Sequence, residues 1–145
     1  SFIYNFTTGD QHGTFWYHSH FMAQYADGLR GALIVHVPDD PYLKEYDYEY
    51  VITLSDWHHR RPIPDSPLLS GRSRYNCNGA PDGSKCKPNA PLAVYNVKKN
   101  KKYRFRIINT AADAFFIFSI DEYKLKLIES EGIYIKPTII EKLPI

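Results

Sequence analysis

An all-β fold, an antiparallel sandwich or barrel, is what this 145-residue sequence predicts, on three observations. Apolar and β-branched residues fall in short runs of about four to eight, separated by Pro, Gly, Asn and Asp. No stretch repeats its apolar residues with the roughly 3.6-residue period of an amphipathic helix. Aromatic residues make up 15% of the chain, twelve tyrosines among them, and such rings pack well on a pleated surface. Hydrophobic residues, at 43%, are ample for a packed core.

The chain opens in the strand-like run Phe2-Ile3-Tyr4-Asn5-Phe6, where Asn5-Phe6-Thr7 reads either as a glycosylation sequon or as a chance match to one. Next comes an extended segment with His18 and His20 one residue apart. Strand side chains repeat every second residue, so both imidazoles face one side. Neutral imidazole binds copper, zinc, iron or nickel, so the spacing points to a metal without choosing it. By itself a His-x-His pair is a weak signal. The run from Gly31 to Val37 is a β-branched strand stopped by Pro38, and Asp39-Asp40-Pro41 makes a turn. A new strand starts at Glu49 and runs to Leu54. The domain boundary therefore falls between Pro38 and Asp47, with residues 1–40 closing one domain and 41–145 forming most of a second.

Residues 60–89 form a long irregular excursion with the only two cysteines, Cys77 and Cys86. Such a loop is too polar to anchor itself by burial, and the short spacing closes easily. A disulfide is favoured over free thiols, and a zinc pair lacks two further ligands nearby. A disulfide implies an oxidising compartment. Beyond the loop, Ala93–Val97 and Tyr103–Ile108 flank a turn of four lysines. Arg104 and Arg106 alternate with Tyr103, Phe105 and Ile107, the pattern of a half-buried strand. The runs Phe115–Ile120, Lys124–Ile128 and Ile135–Ile145 complete the strand series.

A net charge of +2, with no basic cluster beyond the Lys98-Lys99 and Lys101-Lys102 pairs, speaks against a nucleic-acid or membrane-surface partner. No apolar run approaches the roughly twenty residues that span a bilayer. The sequence starts without Met or a signal peptide, and both ends lie inside strand-like runs. A piece of a longer protein, with a sandwich incomplete at both ends, is the expectation.

Around the two histidines the sequence reads G-T-F-W-Y-H-S-H, then Q-Y-x-D-G-L-R-G-x-L-I-V. Further on stand Leu54-Ser55-Asp56-Trp57-His58-His59, Leu68-Leu69-Ser70-Gly71-Arg72, Tyr103-Arg104-Phe105-Arg106-Ile107-Ile108-Asn109 and Phe118-Ser119-Ile120-Asp121. In identity, order and spacing these segments resemble the multicopper oxidases, the laccase and ascorbate oxidase group. The resemblance covers essentially the whole chain. It implies a cupredoxin-like Greek-key β-sandwich and a secreted, copper-dependent oxidase. Such an enzyme couples one-electron oxidation of phenols or similar donors to four-electron reduction of dioxygen.

By the same resemblance His18 and His20 would each ligate one copper of a trinuclear cluster. Trp16 and Tyr17 would pack around the ligand strand and orient the imidazoles, and Asp27-Gly28 would form a carboxylate-capped turn. His12, His36, His58 and His59 fall outside the matched ligand positions. Asp113 stands where laccases carry a carboxylate that hydrogen-bonds the phenolic substrate, and the bland alternative is a turn-forming Asp. The resemblance also supports the Cys77–Cys86 pairing, since ascorbate oxidases carry a loop disulfide near this place. Ferroxidases place an acidic residue before a P-I-P segment here, whereas Arg60 and Arg61 precede Pro62-Ile63-Pro64, and cations repel ferrous iron. Ser70 departs from a usual Asn, and Glu122-Tyr123 from a usual Gly-His, which bears on substrate choice.

The other signatures of the family, H-W-H-G, H-P-x-H-x-H and H-C-H, do not occur in these residues. The remaining cluster ligands and the surface copper would come from missing domains of the same protein, so this polypeptide alone is expected to be inactive. The competing readings are ascorbate oxidase, the less favoured ferroxidase, and a non-enzymatic cupredoxin-type copper-binding protein. A zinc-binding β module is disfavoured because zinc wants three or four close ligands.

Overall fold

The computed structural model describes residues 2–58, 64–80, 83 and 85–145. Strands β1 (Gly13–His18) and β2 (Arg30–Val35) pair antiparallel as a separate hairpin. Strand β3 (Tyr48–Trp57) is central to a three-stranded sheet, with β4 (Ser66–Leu69) antiparallel on one side and β5 (Tyr103–Asn109) parallel on the other. A short 3-10 turn, Cys77–Gly79, interrupts the long excursion. The ribbons are β6 (Ile117–Phe118) with β9 (Leu143–Pro144), and β7 (Leu125–Ser130) with β8 (Ile133–Ile140), each antiparallel.

The parallel β3–β5 pair departs from the antiparallel expectation. Parallel neighbours need a long crossover, and the excursion after β3 provides it. The run Ala93–Val97 joins no ladder. Tyrosine hydroxyls meet the backbone here instead: Tyr50 Oη donates to the Asn96 carbonyl at 2.6 Å, and just past the run the Lys98 N–H donates to Tyr103 Oη at 2.7 Å. Phe2 to Phe6 also lies outside any ladder, with its apolar side chains exposed.

The core sits on the face of β3 and β5 that carries Ile52, Leu54, Phe105 and Ile107, packed against Phe118 of β6, Leu125 of β7 and Leu143 of β9. Toward one end this face becomes an aromatic ladder of Tyr48, Tyr103, Tyr50 and Phe105, with ring centroids 5.3–6.0 Å apart. Apolar packing of two layers across such a face is what a sandwich requires.

The opposite face of β5 corrects the half-buried pattern, because Arg104 and Arg106 are among the most buried side chains described. Arg104 pairs with Asp40 at 2.5 Å and with Glu129, and Arg106 pairs with Glu49 at 2.9 Å and donates to Thr14 Oγ1 at 2.9 Å. Buried charges persist only when paired and hydrogen-bonded. The arginines thus join the chain after β2, strand β1 and the β7–β8 ribbon to one sheet.

Two close approaches fix that junction. Gly132 closes the β7–β8 hairpin with Glu131, both at positive φ, as a two-residue turn of the mirror-image type requires. A Cβ at Gly132 would lie 2.8 Å from the His12 carbonyl oxygen, and one at Gly13 would lie 2.6 Å from the Gly132 Cα. Ser70 (φ 48°) and Glu122 (φ 67°), the departures noted above, both adopt left-handed backbone. Asn and Gly enter that region with less strain.

Candidate metal and substrate site

The β1–β2 register sets Trp16 opposite Ala32, Tyr17 opposite Gly31 and His18 opposite Arg30. The ladder continues one step past the strand, as the Ser19 N–H donates to the Leu29 carbonyl at 2.9 Å. Alternation therefore carries through to His20. Trp16 stacks on His18 at 4.3 Å, and the His18 and His20 rings lie 6.0 Å apart, within 29° of parallel. Tyr25 meets His18 edge-on at 5.5 Å. The structure thus brings His18 and His20 together on one side, with Trp16 and Tyr25 against His18. Tyr17 points elsewhere: a Cβ at Gly31 would meet its ring, so that glycine makes room for the phenol.

His18 Nδ1 lies 2.9 Å from the Ser19 carbonyl, an oxygen that can only accept. In the neutral ring this contact puts the proton on Nδ1 and leaves the Nε2 lone pair available, the arrangement in which a backbone carbonyl orients a metal-binding histidine. Both imidazoles are exposed. Among the described residues no three His, Cys, Asp or Glu side chains gather as a metal site. Two imidazoles with an available ring nitrogen are a donor set that suits copper chemically.

The turn between the strands is tied by backbone bonds, including Leu29 N–H to the Gln24 carbonyl at 3.1 Å, and by Ser19 Oγ donating to Gln24 Oε1 at 2.7 Å. Gly28 takes φ 106° there. The Asp27 carboxylate makes no hydrogen bond among the described residues, so the turn closes without the expected cap. His12 stacks on Tyr134 at 4.5 Å, and His36 lies 3.8 Å from Glu49. His59, Arg60, Arg61, Pro62 and Ile63 lie outside the described residues.

Asp113 is exposed in the loop after β5, beside the fully exposed ring of Phe115. The loop is built from three sides. Thr110, 1% exposed, donates to the Leu54 carbonyl through its N–H at 2.8 Å and its hydroxyl at 3.1 Å. Asn109 Nδ2 donates to the Ala114 carbonyl at 3.1 Å, and its Oδ1 accepts from the Ala111 N–H at 2.9 Å. Asp56, 2% exposed at the end of β3, accepts from the N–H groups of Ala112, Asp113 and Ala114 at 2.9, 2.9 and 3.2 Å.

His58 Nε2 stands 3.3 Å from Asp56 Oδ2. Burial works against ionisation of Asp56. The three N–H groups and His58 outweigh it and hold the carboxyl down at about 2.

Sequence reasoning missed Asp56 and Arg30. Arg30 stands opposite His18 and donates through Nη1 to the Tyr25 carbonyl at 2.9 Å and the Thr110 carbonyl at 3.1 Å. One guanidinium so links the histidine hairpin to the root of the Asp113 loop. A cation at the start of an apolar strand was the available signal for it. A disulfide joins Cys77 to Cys86 across a Cα separation of 5.7 Å.

A family model described as multicopper oxidase matches residues 48–145, and a second of the same description matches residues 1–40. Laccase-2 of Pleurotus ostreatus is 44% identical over the whole chain, and the chain covers 27% of its length. For the laccase of Phlebia radiata the values are 43% identity, all of this chain and 28% of the relative. Among solved structures, the laccase of Botrytis aclada superposes with a TM-score of 0.79 at 33% identity, over 93% of this chain and 27% of that one. Fet3p, described as a multicopper oxidase that functions in iron import, gives 0.81 at 26% identity over 98% of this chain and 26% of that one. The chain therefore spans about a quarter of the length of the proteins it matches.

Proposed function

The chain belongs to the multicopper oxidase family, and from that premise we propose that it is the part of a laccase-like oxidase where its first two cupredoxin domains meet, residues 1–40 closing the first and 41–145 forming most of the second. The observation that carries this reading is the His18–His20 pair, 6.0 Å apart with the Nε2 of His18 free. Two imidazoles that close, on one side of one strand, are placed to serve a single metal centre. Each histidine would hold one copper of the trinuclear cluster, and other segments of the full-length protein would supply the remaining ligands. The 145 residues alone would then not turn over.

Bound copper would supply a one-electron acceptor for the donor and an outlet to dioxygen. This chain's own residues would hold the donor. The exposed carboxylate of Asp113 accepts the phenolic hydrogen bond and takes the proton as the phenol gives up its electron. Four donors, each losing one electron and one proton, balance one dioxygen leaving as two waters. The disulfide supports an extracellular location, where such bridges persist. Among the described residues no helix is long and apolar enough to cross a membrane.

Metal analysis of the full-length protein tests the ligand pair: His18→Ala and His20→Ala should each lower bound copper and abolish oxygen uptake. Full copper content in both variants would overturn the assignment. Turnover of phenols against ascorbate by the same protein separates laccase from ascorbate oxidase, the reading that the loop disulfide keeps open.

A further inference from the structure

We propose that Asp56 is the positioning residue of the reducing-substrate site, holding the loop that presents Asp113 to the donor. The inference rests on the reading of Asp113 as the substrate carboxylate. One carboxylate takes three consecutive backbone N–H groups, those of Ala112, Asp113 and Ala114. Three amides converging on an anion form a backbone nest, and here the anion comes from the protein itself. With its side chain 1% exposed, Asp56 cannot meet a donor molecule, so any influence on substrate passes through the loop.

Geometry makes that influence specific. The peptide N–H of Asp113 is itself one of the three donors, so the backbone that aims its side chain is pinned two bonds from the branch point. Neighbouring anchors hold the loop ends, Thr110 on Leu54 and Asn109 on Ala114. Among the described residues, only Asp56 reaches the middle. A neutral amide in its place accepts through one oxygen and turns an N–H group toward the remaining donors, so at least one loop amide loses its partner. The loop then samples other arrangements, and the carboxylate of Asp113 is no longer held for the phenolic hydroxyl.

Steady-state kinetics of the full-length enzyme, with 2,6-dimethoxyphenol and with ferrocyanide, provide the test. Ferrocyanide has no proton to give, so it does not use the carboxylate. For Asp56→Asn, kcat/KM for the phenol should fall roughly tenfold relative to ferrocyanide, chiefly through KM, within the range that lost positioning costs. Equal losses for both donors would reduce Asp56 to a general structural role and overturn the proposal. Asp113→Asn, measured beside it, separates the two readings. If Asp113→Asn depresses the phenol ratio and Asp56→Asn does not, positioning fails while the substrate reading stands. If neither changes the ratio, the substrate reading fails and positioning falls with it. Should Asp56→Asn not accumulate, hydrogen exchange of the Ala112–Ala114 amides in the unaltered enzyme decides: slow exchange supports the pinned loop, and exchange at the free-peptide rate overturns it.

Discussion

At the scale of single residues, Asp56 shows how a buried charge is made tolerable. Its carboxyl titrates near 2 in the folded chain against an ordinary 3.8. A depressed acid contributes stability above its unfolded value and loses that contribution as pH falls through the folded one. For Asp56 the loss falls between about pH 4 and pH 2 and amounts to roughly 2 kcal/mol. The thermal midpoint of the full-length protein should fall less steeply through this window in Asp56→Asn than in the unaltered protein. Gly132 makes a different demand. Its φ of 77° and the 2.8 Å from a Cβ position to the His12 oxygen leave no room for a side chain. Gly132→Ala should cost about 1–3 kcal/mol, read as a lowered midpoint. Neither demand was legible beforehand. The glycine reads only as a turn former, and the amides that satisfy Asp56 are 56 to 58 positions away.

At the scale of elements, the strands after the turn signals were readable: β2, β3, β5 and the β7–β8 ribbon stand close to their expected runs. Hydrophobic alternation identified β5 but not its second buried face. The acids that accept Arg104 and Arg106 come from three separate stretches, Asp40, Glu49 and Glu129, and no local pattern announces them. Burial favours loss of the Arg104 proton, yet Asp40, Tyr46 and Glu129 prevail and raise its pKa. Glu129 also accepts the Thr14 N–H at 3.0 Å, so one carboxylate serves both arginines and the start of β1. Glu129→Gln should destabilise the protein by on the order of 2–3 kcal/mol, because it removes one of the two acids that face each buried arginine. A shift in the midpoint of thermal unfolding no larger than that of a surface Glu→Gln control would refute this account of the junction. The histidine pair needed no such partners to be read, since strand periodicity alone aligns His18 with His20.

At the scale of the whole molecule, the Cys77–Cys86 bridge lies in the excursion, and neither cysteine belongs to the core cluster. In the chain-entropy view, closing so short a loop is worth about 2–3 kcal/mol. Replacing both cysteines by serine should lower the thermal midpoint while copper content stays unchanged. The parallel β3–β5 pairing has a consequence for biosynthesis. Thr110 meets the Leu54 carbonyl across 56 residues of sequence. On the ribosome, β3 emerges long before β5 exists, and among the described strands only β4 pairs with it that early. The flank that will receive β5 stays unsatisfied throughout that interval, a template for unwanted pairing. Nascent chains halted between β4 and β5 should be the form that chaperones bind most avidly, and release should follow once Asn109 has left the exit tunnel.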